Sequence, residues 1–515
     1  MSEHRTVLRS TSTISIITFF SRIFGYIRDS RIAFLLGTGD VADAFSIAYR
    51  IPNLMRRLVG EGAMSGAFIP VFSSYLSGDK KGEAWEFANV MLSAATVFLT
   101  VVTIVGIFLS PWIVPLLAYG FKVTPGKLEA TIVLNRIMFA YIGLISISAL
   151  AMAVLNSFHR FAASAFAPLV LNLCVIGFSF LSGWFSSPAI AMAVGVVVGG
   201  VMQIAIQIPG LIRSGWHFRW IWDLAHPGLR RVMGMVVPRM FGIGIVHIDV
   251  LIGSQFAAAM IAGSAASINY ADRVMELVLG GYVIALSTAI LPLLSRQAVE
   301  MRITELKASL NFAIRLVVFV TLPASVGLVL LRKPIIQVLF EHGNFTPDST
   351  ELTAWALLFF AVGLSGFAMV KIIVQAFYAL HNTRAPVLVA AISLAINIAL
   401  NFLFFHPLRN GGPALATSLS AVFDTVALTT LFRWRYGALG MKKVGRSSIK
   451  FALAAAVMGV VAYWLIHIPG FYSGGLSQRA GALFLTILIS AGTYFGCAFL
   501  LRAGEIEEVW RIYYP

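Results

Sequence analysis

Ionisable side chains sit in this sequence where an apolar helix would normally carry none. SRIFGYIRD (21–29) holds Arg22, Arg28 and Asp29. ADAFSIAYRIPNLMRRLVGEGA (42–63) holds Asp43, Arg50, Arg56, Arg57 and Glu61. NYADRVMEL (269–277) holds Asp272, Arg273 and Glu276, while Arg239, His247, Asp249 and Lys371 interrupt other apolar runs. Charges inside a membrane span are costly and mark substrate or ion paths by default. Guanidinium forks match phosphate oxygens two bonds at a time. Several of them in a wet cavity with low-dielectric walls would favour a multiply charged anion such as a pyrophosphate. Asp43 and Glu61 would orient the arginines or hold the empty cavity in one state. Snorkelling to an interface is the competing account for Arg31 and Arg57. It is weaker for Arg22, Arg28, Arg56 and Arg273, which lie well inside their runs. Adjacent helical residues point apart, so Arg28 with Asp29 and Arg273 with Asp272 are not expected to satisfy each other.

A second constellation is made of neutral oxygens. Asn397 and Asn401 are four apart and share a helix face. With Asp249, Thr417 and Asp424 they form a candidate hard-cation site. Ordinary polar packing between helices is the competing account.

The elements that carry these residues follow from composition. Of 515 residues, 59% are hydrophobic and only 12% charged. That excludes a soluble enzyme, a disordered chain and a disulfide-stapled secreted domain, and leaves an all-α polytopic membrane protein. On the rule of about 20 apolar residues per crossing, the sequence predicts fourteen spans, roughly 13–36, 41–76, 87–118, 129–155, 163–182, 188–212, 231–258, 265–295, 308–331, 350–380, 386–405, 412–432, 449–467 and 480–501. Gly25, Pro52, Gly60 and Gly62 would break the first two, which is tolerated beside protein or a water-filled cavity. Cys174 and Cys497 lie in apolar runs without metal-ligand spacing and read as buried small residues.

The net charge of +16 is not a nucleic-acid signal here. One alternate set of loops carries Lys80 and Lys81, Arg160, Arg213, Arg219, Arg230, Arg231, Arg296, Arg302, Lys307, Arg384 and a cluster from Arg433 to Lys450. The other set has no charge at 183–187 and 259–264, and balanced charge at 332–349. The positive-inside rule puts the first set, and with it both termini, in the cytoplasm. Segment 216–229 (WHFRWIWDLAHPGL) reads as a short interfacial helix on that face.

The halves also repeat. At an offset of about 222 residues, AFIPVFSSY (67–75) falls over AILPLLSRQ (289–297), YGFKVTP (119–125) over HGNFTP (342–347), and LNSFHRFAA (155–163) over FYALHNTRA (377–385). Pro70 then matches Pro292, Thr124 matches Thr346, Pro125 matches Pro347 and His159 matches His381. An even number of spans per copy implies parallel repeats about an axis along the membrane normal. The expected layout is an N-terminal lobe at 1–228, a C-terminal lobe at 229–435, and two added helices in 436–515. Two lobes around a central cavity suit alternating access.

SRIFGYIRD (21–29), DAFSIAYRIPNLMRRLVGEGAMSGAFIP (43–70) and YADRVME (270–276) closely resemble the bacterial MurJ (MviN) lipid II flippases, of the multidrug/oligosaccharidyl-lipid/polysaccharide exporter superfamily. The resemblance implies an inner-membrane protein that moves undecaprenyl-pyrophosphate-linked disaccharide-pentapeptide, lipid II, from the cytoplasmic to the periplasmic leaflet for peptidoglycan synthesis. It implies Arg22, Arg28, Arg56 and Arg273 as cavity arginines, with Asp43 as the functionally important aspartate and Glu61 as an acidic cavity position. Asp29 and Asp272 join them as neighbouring substrate-site candidates. It implies a lipid-tail groove from the last two helices, and partners among membrane lipids and cell-wall synthesis proteins. A sodium site in the C-terminal lobe falls on Asp249, Asn397, Asn401 and Thr417, with Asn401 neutral where an acid would be expected. Arg239 and His247 match no part of the family pattern. Three rivals remain: an exporter of another polyprenyl-linked glycan or small molecule, a membrane glycosyltransferase, and a non-transporting scaffold. The arginines disfavour a cation exporter, the short loops disfavour the enzyme, and a scaffold would need no interior arginine.

Overall fold

A computed structural model describes residues 2–55, 64–76, 81–158, 160–468, 472 and 474–505, with the side chains at 2–16, 18–19, 55, 65, 81 and 237–250 outside the description. Among the described residues the regular structure is entirely helical. Packing divides the chain into two compact units, 1–262 and 263–515.

The first unit holds α1 (Ser2–Leu36), α2 (Asp40–Met55), α3 (Met64–Leu76), α4 (Lys81–Ala118), α5 (Lys127–Ser157), α6 (Phe161–Phe180), α7 (Pro188–Ala205), α8 (Ile208–Arg213) and α9 (Pro227–Ala258). Its core at one end is a stack of rings. Phe68 and Phe72 of α3 meet Phe87 of α4 at centroid distances of 5.3 and 6.5 Å, with Trp85 and Phe158 against them. Such pairs add modestly to the area they bury. α5 packs against α2, α3, α4 and α7, and α9 packs against α3 and α4.

The second unit holds α10 (Ser264–Val278), α11 (Ile284–Val299), α12 (Ile303–Phe340), α13 (Pro347–Ala379), α14 (Arg384–Leu408), α15 (Gly411–Tyr436), α16 (Met441–Ile466) and α17 (Leu476–Leu500). A single π turn at Leu279–Val283, containing Gly280 and Gly281, links α10 to α11. π turns often mark functional helices. α13 and α15 approach closely because Gly363 has no Cβ: one built there would overlap Ser418. Phe319 of α12, Phe451 of α16 and Tyr494 of α17 cluster and join the last two helices to α12.

The positions paired in the sequence fall on the following elements. Pro70 and Pro292 both lie inside helices, in α3 and α11. Thr124-Pro125 precedes α5, whereas Thr346-Pro347 opens α13. Gly126, at φ +79°, caps α5 after Thr124 and Pro125. Thr346 caps α13 by accepting from the Ser349 amide, with Pro347 in the first turn, where its missing N–H costs nothing. His381 stands in the turn after α13 at φ +55°, and His159 lies outside the described residues.

Among the described residues, eleven helical segments are long and apolar enough to cross a membrane. The other three expected spans, 13–36, 41–76 and 231–258, fall on α1, α2 with α3, and α9. Each of these includes residues or side chains outside the description. The interfacial helix expected at 216–229 does not form. Residues 216–223 run as an irregular strap, and α9 begins only at Pro227. Side chains of α4 take up the strap's polar groups instead. Asn89 Nδ2 donates to His217 O at 3.0 Å, Trp216 Nε1 donates to Asn89 Oδ1 at 3.0 Å, and the Ile221 amide donates to Ser93 Oγ at 3.2 Å. Backbone groups satisfied by a neighbour have less to gain from a helix. The two cysteines, expected to be buried, are half-buried and free.

Candidate functional site

The clearest arrangement is built around Arg28 of α1. Its Nε and Nη2 donate to Asp29 Oδ1 at 2.9 and 2.6 Å. Nη1 donates to Asn172 Oδ1 of α6 at 3.0 Å. The guanidinium carbon lies 6.0 Å from the Tyr49 ring centre in α2. This corrects the expectation that neighbours on a helix cannot pair. The Arg28 side chain is long enough to fold back over its own backbone position, although the two Cβ atoms diverge. The charges are mostly shielded, with side-chain exposures of 12% and 14%. Hydrogen bonds between ionised groups in such a setting are short and strong. Arg22, two turns earlier on α1, is exposed.

Asp43 sits elsewhere. It is buried at the start of α2 and accepts from Lys127 Nζ of α5 at 2.7 Å. The same ammonium lies 2.8 Å from Asp40 Oδ1 and 4.3 Å from the Phe121 ring centre. Asp43 is therefore one half of a buried ion pair that ties the heads of α2 and α5. Lys127 was missed by the sequence reasoning. Its only signal is a lysine heading an apolar run, opposite an Asp-x-x-Asp start.

In the second unit Arg273 pairs with Glu276 at 2.6 Å, one turn along α10. Asp272 is half-buried. Arg56, Arg57 and Glu61 lie outside the described residues, as do the side chains of Arg239, His247 and Asp249. Arg50 donates to Ser254 Oγ, joining α2 to α9.

Asn397, Asn401 and Thr417 do come together. Asn401 Nδ2 donates to Asn397 Oδ1 at 2.7 Å, and Asn397 Nδ2 lies 3.5 Å from Thr417 Oγ1. Thr417 Oγ1 in turn donates to Pro413 O. Asn397 Oδ1 thus accepts one hydrogen bond, while the Thr417 hydroxyl spends its proton on Pro413 O and keeps its lone pairs. Asn401 Oδ1 is the one buried side-chain oxygen of the three residues left without a hydrogen-bond partner. A hard cation takes several oxygens, so the described residues do not by themselves make a sodium shell. No group of three or more His, Cys, Asp or Glu that could hold a metal ion occurs among the described residues.

Two further buried polar groups escaped the sequence reading. Asn172 is a lone amide in the run LVLNLCVIG. Arg315 of α12 is bound by Glu505, just past α17, across 190 residues of sequence.

A family model described as lipid II flippase MurJ matches residues 32–476. A protein of Vibrio cholerae serotype O1 named probable lipid II flippase MurJ is 34% identical over 97% of this chain and 96% of its own length. A Burkholderia cenocepacia protein named lipid II flippase MurJ is 30% identical over 96% and 97%. Among solved structures, lipid II flippase MurJ in an inward closed conformation aligns with a TM-score of 0.80 at 24% identity, covering 96% of this chain and 99% of that one. An inward-facing multidrug-resistance MATE family transporter of the MOP superfamily aligns with a TM-score of 0.68 at 14% identity, covering 83% of this chain and 98% of that one, and speaks to the fold alone.

Proposed function

Because the chain belongs to the lipid II flippase MurJ family, we propose that it moves lipid II from the cytoplasmic to the periplasmic leaflet of a bacterial inner membrane, supplying peptidoglycan synthesis. It is a multi-pass transporter. The finer architecture in this proposal is fourteen crossings with both termini cytoplasmic, two six-helix lobes, and α16 with α17 as a groove for the polyprenyl tail. Arg22, Arg28, Arg56 and Arg273 would grip the pyrophosphate when the cavity faces inward, and rotation of the lobes would release it. Ligand binding drives such a change only through different affinity in the two states.

The Arg28 group carries this reading. Its Nε and Nη2 edge already holds a carboxylate, Asp29 Oδ1. That edge suits a phosphate oxygen equally well. Substrate capture then amounts to exchange: pyrophosphate takes the guanidinium edge and Asp29 turns to water or to another donor. Asp43 acts at a distance by fixing α2 against α5 through Lys127. Glu61, Asp272 and Asp29 are the acids that would balance the arginines once substrate leaves. No step is routed through sodium: Asn397, Asn401 and Thr417 supply three neutral oxygens, too few for a hard-cation shell, and the Asp249 side chain lies outside the description. Moving a cationic residue through the field is worth about 2.3 kcal/mol per charge per 100 mV, enough for membrane potential to bias the cycle. The reading for an exporter of a different polyprenyl-linked glycan keeps the same fold and the same arginines.

The test is replacement in cells. With the native flippase depleted, this chain should restore lipid II exposure on the outer leaflet, and inserted Arg28→Ala and Arg273→Ala variants should not. If the inserted wild-type chain failed, the cargo would be another lipid-linked glycan.

A further inference from the structure

Asn172 holds Arg28 from outside its own helix. This side chain stands in the apolar run of α6 and is 6% exposed. Its Oδ1 accepts from Arg28 Nη1 at 3.0 Å, and its Nδ2 donates to Ser21 O at 3.1 Å. An amide offers one acceptor and one donor group. Here the guanidinium can only donate and the carbonyl can only accept, so the amide has one workable orientation.

The surface of α1 is shaped to receive it. Ser21 and Arg28 are seven apart, about two turns, and so lie on one face. Gly25 lies between them on the same face. A Cβ built there would be 3.4 Å from Asn172 Nδ2, ordinary contact distance with no room to spare. The amide therefore lies against α1 at van der Waals distance from Gly25 while reaching both partners.

The two edges of the guanidinium therefore have different holders. Asp29 takes Nε and Nη2, while Asn172 takes Nη1. An incoming phosphate competes with the carboxylate for the first edge. It need not disturb the amide, which is neutral and approaches from the other side. Arg28 keeps its orientation through the exchange, and its long side chain does not have to be ordered again by the substrate.

We propose that Asn172 is a positioning residue for anion capture. Through the Ser21–Gly25–Arg28 face of α1 it fixes the Arg28 guanidinium so that its Nε and Nη2 edge is presented to the substrate pyrophosphate. This rests on the reading of Arg28 as a substrate-binding residue. Asn172 does not itself touch the substrate.

The experiment is a double-mutant cycle read by lipid II binding to the purified, detergent-solubilised chain, with thermal melting of each variant alongside. Hydrogen bonds to charged groups are worth more than neutral ones, and losing this one in Asn172→Ala should weaken lipid II binding about tenfold. In an Arg28→Ala background the same substitution should change binding by less than about twofold, because the group it positions is gone. The isosteric Asn172→Asp keeps the shape should the alanine variant not fold. It places a second anion on Arg28, loses the donor to Ser21 O, and should also weaken binding, again only while Arg28 is present. Equal weakening in both backgrounds would make Asn172 a packing residue and overturn the proposal. So would unchanged binding in Asn172→Ala or Asn172→Asp. If Arg28→Ala alone bound lipid II normally, the reading of Arg28 as a substrate residue would fail first, and the positioning role with it.

Discussion

Glu505→Ala should be among the most damaging single substitutions outside the substrate path. Glu505 is 1% exposed and Arg315 is 3% exposed. Their ion pair bridges the segment after α17 to α12, and Ser447 of α16 donates to the same carboxylate oxygen at 2.7 Å. Asn311 Oδ1 accepts from Arg315 Nε at 3.1 Å, while its Nδ2 donates to Leu439 O at 2.7 Å. Removing the carboxylate strands a guanidinium with no access to water. Breaking a buried pair in this way costs about 3–5 kcal/mol. The other clasp on α17, Arg479 with Glu341 at 3.5 Å, has an arginine 37% exposed and should be worth no more than about 1 kcal/mol. Of the two ion pairs, the buried one therefore contributes more to holding the end of α17. The sign of the double substitution is the sharper part. Arg315→Met with Glu505→Leu removes both desolvation penalties, so most of the loss should return. SDS-induced unfolding of Glu505→Ala and of the four proteins of the cycle (wild type, Arg315→Met, Glu505→Leu and the double variant), followed by circular dichroism, gives the cost and the coupling. A cost below about 1 kcal/mol for Glu505→Ala, or strictly additive single effects, would refute the reasoning.

Three further outcomes follow from the packing. Lys127→Ala should reproduce the loss of function of Asp43→Ala, and the double variant should be no worse than either, because each removes the same buried pair; complementation counts check this. Gly363→Val should lower expression and melting temperature by forcing α13 from α15, at about 1–3 kcal/mol or more for overpacking, whereas Gly281→Ala, with open space at its Cβ, should not. Asn89→Ala should free the 216–223 strap from α4, seen as faster limited proteolysis between α8 and α9 with little change elsewhere.

Much of the scaffold was legible because membrane crossings are written in local composition. α4, α5, α12 and α13 fall where their apolar runs lie. Pro70 with Pro292, and Thr124 with Thr346, marked corresponding places because backbone restrictions act locally. The arginines of α1 and α10 were legible as anomalies. Their partners were not. Arg28 with Asn172 spans 144 residues, and Arg315 with Glu505 spans 190, so no periodicity connects them. The Arg28–Asp29 bond was misjudged because helix geometry constrains Cβ directions, not the reach of a long side chain. The strap at 216–223 looked amphipathic in sequence, but its backbone bonds are set by Asn89 and Ser93 on a different helix.

The most direct test of transport through an arginine-lined path is leaflet-to-leaflet movement in a purified system. Labelled lipid II reconstituted with this chain in proteoliposomes would be read with a membrane-impermeant quencher. The account predicts translocation by the wild-type chain and a loss of at least about tenfold in folded Arg28→Ala and Arg273→Ala variants, the factor for one charge-assisted contact. Translocation at wild-type rates by both variants, or none by the correctly inserted wild-type chain, would contradict it.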